Sequence, residues 1–253
     1  MKLIKPSFEI ISPLNGEEML KQIEIAARTC YKSEGKIVYK EVNYTDGIHK
    51  VVVGKYLEEA TSARKLVSKL IENGHEAMLE FSGNIIVKFI CDKGISHELV
   101  RHRLASFAQE SSRYCNYGKD DHIQFIIPEW CINISNITTK NLSELSLSIP
   151  ESLKYNGDRE CYDAQFAWAT YMLRLENYYN NLINFGWQPQ QARSVLPHSV
   201  KTEINVSTNV REWRHIFKLR CAPTAHPSMR ELMIPLLVRM KELVPIIFDD
   251  INF

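Results

Sequence analysis

Cationic and hydroxyl side chains are concentrated at Arg101-His102-Arg103 and, after seven intervening residues, at Ser111-Ser112-Arg113-Tyr114. Arginine presents planar, bidentate donors that match phosphate and carboxylate oxygens. Serine hydroxyls and free backbone N–H groups add the short, directional contacts that hold a phosphate in place. The competing reading is a solvated basic helix face. Ile95, Leu99 and Val100 precede the triplet with apolar, regular spacing. The cations therefore stand at the edge of packed structure, which favours an anionic ligand site.

Chemistry concentrates a second time between residues 191 and 220. In a helix starting near Asn209, the stripe i, i+4, i+7, i+8, i+11 holds Asn209, Trp213, Ile216, Phe217 and Arg220. An arginine at the end of an apolar stripe is costly to desolvate unless an anion or polar group meets it. Alternatively, Arg220 serves only the helix C-terminal dipole. Asn209 precedes Glu212 by three residues, a capping-box spacing, so it also reads as a plain N-cap. Arg193, on a short helix with alanine and valine neighbours, reads by default as a surface arginine.

The elements that must position these groups follow from periodicity. Helices are expected over Glu17 to Arg28, Tyr56 to Glu72 with Gly74 as its C-cap, and Ile95 to about Leu104, which would carry the triplet near its end. Further helices are expected over Glu160 to Phe185, Gln188 to Val195, Val210 to Leu219 and Ser228 to Leu243. Strands are expected over Leu79 to Cys91, His122 to Pro128 and Lys201 to Ser207. Positions 132 to 152, rich in Asn, Ser and Thr, read as an excursion of low information. The mixture is α+β, with no internal repeat and no clear interdomain linker, so residues 1–253 are expected to form a single domain.

A chain of 253 residues with 45% hydrophobic content can bury a substantial core. Its formal charge of +1 supplies no global field toward nucleic acid or membrane. No apolar run is long enough to span a bilayer or to serve as a signal peptide, so a cytoplasmic protein is expected. The six cysteines are scattered without a CxxC pair. Neither zinc spacing nor a disulfide framework is indicated, no metal is expected, and most of these thiols read as small buried hydrophobes. Five Asn-x-Ser/Thr matches count as chance without an export signal.

Ordered motifs then carry a resemblance. Arg101-His102-Arg103 with Ser111 after seven intervening residues is similar to the signature of flavin-dependent thymidylate synthases. So are Ala27-Arg28-Thr29-Cys30-Tyr31, Gly74-His75-Glu76, Ala192-Arg193-Ser194-Val195-Leu196-Pro197, Ser207-Thr208-Asn209-Val210-Arg211 and Leu219-Arg220, in family order and with similar spacing. They cover roughly residues 25 to 230, and several motifs in order are more specific than the triplet alone. The chain is identified as a member of that family.

The resemblance implies an α+β domain with a mostly antiparallel sheet packed by helices. It implies reductive methylation of dUMP to dTMP, with methylenetetrahydrofolate supplying carbon and NADPH-reduced FAD the hydride. Carried over position by position, Arg101, His102 and Arg103 touch FAD, while His75, Asn209, Arg211 and His215 line the flavin. Ser111, Ser112 and Arg113 hold the dUMP phosphate with help from Arg193, and Arg101 lies near the nucleotide. Arg220 sits against the uracil carbonyl and stabilises negative charge at N3 and O4. The family is a homotetramer with active sites between subunits. No Pro-Cys-His element occurs, as a flavin route without a thiol nucleophile requires, and Cys221 lies between Arg220 and Ala222.

Four positions depart from the family pattern. Glu98, expected at the substrate, stands where glutamine is common. Ala108 and Gln109 replace an Asn-Glu pair, so flavin or substrate contacts expected at Gln109 lose a charge. His215 stands where asparagine is frequent. Other readings stay open beside the synthase: a flavin-dependent methylase or hydroxymethylase of another pyrimidine nucleotide, and a non-catalytic flavin or nucleotide binder, against which Arg220 speaks. An RNA- or DNA-binding protein would need a broad basic surface that a near-neutral chain does not supply.

Overall fold

The computed structural model describes residues 1–30, 32–33, 39–45, 50–57, 61–115, 117, 123–131 and 164–253. In chain order these hold β1 (Lys2–Ile4), β2 (Ser7–Ile10), α1 (Gly16–Cys30), β3 (Tyr39–Thr45), β4 (Lys50–Leu57) and α2 (Thr61–Glu72). A 3-10 helix (Glu76–Ser82), β5 (Asn84–Asp92), α3 (Lys93–Leu99), β6 (Ser106–Gln109) and β7 (Gln124–Ile126) follow. Then come α4 (Ala164–Asn184), α5 (Pro189–Ala192), a 3-10 turn (Arg193–Val195), β8 (Lys201–Asn209), α6 (Val210–Arg220) and α7 (Pro227–Leu243). The α+β class expected from the sequence is the class found.

Strands pair as β1-β7, β3-β4 and a four-stranded sheet in the order β2-β5-β8-β6. The β1-β7 pair is parallel, and β3-β4 is an antiparallel hairpin with a register shift between Val42 and Asn43. In β5, Ile85, Val87, Phe89 and Cys91 are buried, and in β8, Thr202, Ile204, Val206 and Thr208. Both strands thus bury one side of a period-two pattern.

The chain divides into two compact units. The first comprises Met1–Phe8, Lys88–Arg101 and Phe107–Asn205. Its core gathers Phe125 and Ile127 from around β7, Ala169, Met172 and Tyr179 from α4, and Ala192 and Val200. The Met1 amino group pairs with Glu176 Oε2 at 2.6 Å, and Glu176 Oε1 accepts the Ile123 N–H at 2.7 Å.

The second unit comprises Glu9–Val87, His102–Ser106 and Val206–Phe253. Leu20, Ile23 and Ala27 of α1, Val67 and Leu70 of α2, Leu79, and Trp213, Ile216 and Phe217 of α6 are all buried. Trp213 stacks on Phe217 at 5.6 Å, and Phe217 meets Phe248 edge-on at 5.5 Å. A Cβ at Gly16 would overlap the Leu243 carbonyl, so only glycine lets α1 start against the end of α7. Gly74, at φ +71, closes α2 as expected. His75 N–H reaches Leu70 O at 2.7 Å and Gly74 N–H reaches Ile71 O at 3.0 Å, the paired bonds of a Schellman end.

Several expected elements fall differently. The strand expected from Leu79 starts at Asn84, because Glu76–Ser82 winds into the 3-10 helix. Burial of Leu79, the Glu76 ion pairs and the Val210 N–H bond to Ser82 Oγ (3.3 Å) hold that segment, while the β-branched residues begin only at Ile85. The helix expected to reach Leu104 stops at Leu99, where the Arg101 N–H bonds Glu98 O (3.2 Å), three residues back. The Arg-His-Arg triplet therefore lies in turns. The second helix begins at Thr61, since Tyr56 and Leu57 belong to β4. Strands β1, β2, β3, β4 and β6 were not foreseen, being short or weakly patterned. The 132–152 excursion, His122, Cys161 and the first turn expected for the helix at Glu160 lie outside the described residues.

Candidate active site

In the second unit the site is built on α6. Asn209 is its N-cap, with Oδ1 accepting the Glu212 N–H at 3.0 Å. The buried stripe foreseen from spacing is present: Trp213, Ile216 and Phe217 are at most 1% exposed. Half-buried Arg220 ends it, and its Nε–H donates to His102 Nε2 at 3.0 Å. His102 is itself buried, and its Nδ1 lies 3.4 Å from Glu212 Oε1. The exposed His215 packs edge-on against the His102 ring at 5.8 Å.

These contacts assign the His102 tautomer. A guanidinium only donates, so Nε2 holds the lone pair and Nδ1 carries the proton, facing the Glu212 carboxylate. Burial, reinforced by Arg220 and His215, pushes the His102 pKa down to about 4, so the ring is neutral at physiological pH. Burial pushes the Glu212 carboxyl up, against the opposing pull of His215 and Arg211. His102, Glu212 and His215 also offer ligand atoms within 4.8 Å of one another. A cation on His102 Nδ1 would move the ring proton to Nε2 and set it against the Arg220 N–H, so the hydrogen-bonded arrangement opposes a metal.

The neighbouring Arg214 is fully buried between Glu76 (2.9 Å) and Asp250 (2.6 Å), and it also donates to the Ile247 carbonyl. Burial raises the Glu76 pKa, but Arg214 and Lys218 outweigh it and hold the carboxyl below its usual range. Within Gly74-His75-Glu76, then, the glutamate anchors the 3-10 helix while His75 stands exposed at its start. Arg211, exposed on the first turn of α6, pairs with Glu80. Arg103 is exposed in the turn after His102.

In the first unit, Arg193 Nη1 donates to Ser112 Oγ at 3.2 Å, joining segments 81 residues apart. Ser112 is buried and Arg193 exposed on its 3-10 turn. Ser111 Oγ accepts the Arg113 N–H at 3.4 Å, and Ser111 O accepts the N–H groups of Tyr114 and Cys115. Arg113 lies over the Tyr114 ring at 5.4 Å, beside a cleft of about 490 Å³ whose walls include Trp187 and Pro189. Lys93, at the start of α3, has its pKa lowered by burial and by the Arg193 cation. A second positive charge thus sits near Arg193, which no sequence motif had indicated.

Gln109 turns out to be engaged within the protein: its Nε2 donates to Ser96 Oγ (2.9 Å) and Thr202 Oγ1 (3.1 Å). Glu98 is half-buried on α3, and Arg101 is exposed at the turn that follows. Within their units, the structure brings His102, His215 and Arg220 together, and Ser112 together with Arg193. Arg101, Arg103, Arg211 and His75 stand exposed on their elements, and Glu98 is half-buried on α3. Glu212 was read from sequence only as a capping partner. Its i, i+4, i+8 register with Ile216 and Arg220 was the available signal.

The cysteines at 30, 91, 115, 131 and 221 are all free. Burial pushes the Cys221 thiol up to about 11, despite nearby Arg230 and Lys241, so it is protonated at neutral pH. No helix among the described residues is long and apolar enough to cross a membrane.

An α+β scaffold thus carries a braced guanidinium in one unit and a serine–arginine pair in the other, each of a type that suits anions. The family model of thymidylate synthase complementing proteins matches residues 14–246, and the chain belongs to that family. It is 32% identical over 186 residues to the flavin-dependent thymidylate synthase of Pyrococcus furiosus, covering 72% of this chain and 66% of that protein. It is 27% identical over 230 residues to the flavin-dependent thymidylate synthase of Corynebacterium aurimucosum, covering 91% and 79%. The solved UMP/dUMP methylase PolB from Streptomyces cacaoi, bound with 5-Br UMP, shares the fold at TM-score 0.66 and 17% identity, covering 98% of this chain and 95% of that one.

Proposed function

We propose that the protein catalyses reductive methylation of dUMP to dTMP, with 5,10-methylenetetrahydrofolate as carbon donor and NADPH-reduced FAD as hydride source. The observation that carries this reading is Arg220, ending a buried stripe with its guanidinium hydrogen-bonded to neutral His102. A guanidinium fixed in this way can stabilise charge developing at uracil N3 and O4, which makes C5 nucleophilic. The Ser112–Arg193 pair, with Ser111, Arg113 and Lys93 nearby in the chain or in charge, suits the nucleotide phosphate. A protonated Cys221 thiol supports a route without a cysteine nucleophile.

The donor set also fits a dinucleotide flavin. Exposed Arg101, Arg103 and Arg211 suit anionic phosphates, and Asn209, His75 and His215 offer polar contacts to a ring system. When bound, FAD supplies the hydride; the chain's residues bind, orient and polarise. Both His102 ring nitrogens face protein groups, so its ring face and carbon edges are what remain for a flavin. We further propose that residues 1–253 act as one catalytic domain, in a cytoplasmic homotetramer.

Purified, flavin-stripped protein supplied anaerobically with dUMP, methylenetetrahydrofolate, FAD and NADPH should yield dTMP by chromatography, and none without FAD. Flavin binding and NADPH oxidation without dTMP would sink the substrate assignment. The same assay with UMP tests a methylase acting on another pyrimidine nucleotide, as the fold neighbour PolB, a UMP/dUMP methylase, does.

A further inference from the structure

We propose that Glu212 and His102 are positioning residues for Arg220, forming a carboxylate–imidazole–guanidinium chain that fixes where the guanidinium points. The proposal rests on the synthase reading above and adds to it what holds the polarising group in place. Each link follows from chemistry. Arginine has no acceptor, so it can be held by a ring nitrogen only if that nitrogen lacks a proton. The bond from Arg220 Nε to His102 Nε2 (3.0 Å) therefore requires the Nδ1–H tautomer. In a free imidazole neither tautomer is strongly enforced; here the Glu212 carboxylate, 3.4 Å from Nδ1, favours a proton on that nitrogen.

Glu212 is fixed in turn. It lies in the first turn of α6, its N–H capped by Asn209 Oδ1, and it is only 6% exposed. His102 is also 6% exposed, so water competes poorly for either link. The arrangement holds Arg220 by Nε, and a planar guanidinium held at that nitrogen has its plane and direction set by the chain behind it. Glu212, Ile216 and Arg220 repeat at i, i+4, i+8, so one helix supplies both ends of the chain and the turn after α3 supplies its middle.

The test has two independent readouts. In holoenzyme labelled with 15N-histidine, the His102 resonances, assigned by their loss in H102Q, should show Nε2 unprotonated and Nδ1 protonated at neutral pH. The reverse tautomer overturns the proposal whatever the activity. In steady state, H102L and E212A should each lower kcat by roughly tenfold or more, the range for weakening a fixed electrostatic contact. In E212A, whose altered side chain is not among the flavin contacts, flavin content should stay near that of the wild type. H102Q, whose side-chain oxygen can still accept from Arg220 Nε, and E212Q, which can still accept from Nδ1–H, should each recover most of that loss. In an R220K background, E212A should cost little more, because the group it positions is already altered.

E212A turning over within twofold of wild type, H102Q as impaired as H102L, or a kcat loss in E212A explained by lost flavin would each overturn the positioning role. If wild-type protein makes no dTMP yet shows the Nδ1–H tautomer, it is the synthase reading that fails.

Discussion

Arg193 and Ser112 illustrate how little a single residue type says by itself. Arg193 reads as an ordinary surface arginine until its Nη1 is found on a buried serine hydroxyl at 3.2 Å. Removing a charge-assisted contact to a bound anion costs about 1.5–3 kcal/mol. R193A should therefore raise the KM for dUMP roughly ten- to a hundredfold with a smaller change in kcat, while S112A should have a milder effect in the same direction. A kcat loss with unchanged KM would place Arg193 elsewhere in the cycle. His102 carries a different signature. Its pKa falls from the ordinary 6.5 to about 4 on folding, so the unfolded chain binds more protons between those values. Its contribution is thus complete above pH 6.5 and lost as pH falls toward 4. Thermal midpoints measured at pH 7 and pH 5 should drop more in the wild type than in H102Q.

At the scale of elements, α6 does two jobs, and substitutions can separate them. Asn209 caps the helix, and the resemblance also puts it beside the flavin. N209A should cost about 1 kcal/mol of stability in urea unfolding, whereas N209S should restore the cap. Flavin affinity lost in both variants would assign Asn209 to the cofactor, and flavin affinity that follows stability would leave it a cap. Arg214 joins α6 to Glu76 of the 3-10 helix and to Asp250. Removing one member of a buried ion network leaves its partners uncompensated, so R214A should destabilise by about 3–5 kcal/mol. The same network explains a misread boundary: the expected strand took in residues 79–82, yet these wind as 3-10 helix because the segment's partners lie on α6. No window centred on residue 79 contains that information.

For the molecule as a whole, a net charge of +1 leaves recognition of anions to local clusters, and each unit holds one: Ser112–Arg193 in the first, His102–Arg220 in the second. Sedimentation of the proposed homotetramer should give a mass near four chains of 29.3 kDa, and a monomer active at the same concentration would count against it. The sequence by itself determined the α+β class, the family, the alternation of β8 and the apolar stripe of α6 with an arginine at its end. Those properties are periodic or ordered along the chain, and burial of one face writes them into neighbouring residues. Only the tertiary structure decided that α3 stops at Leu99, that His102 turns inward, that it meets Arg220 from 118 residues away, and that Gln109 is engaged by Ser96 and Thr202. Such contacts depend on which surfaces pack together, and residues distant in sequence carry no local periodicity that reports their pairing.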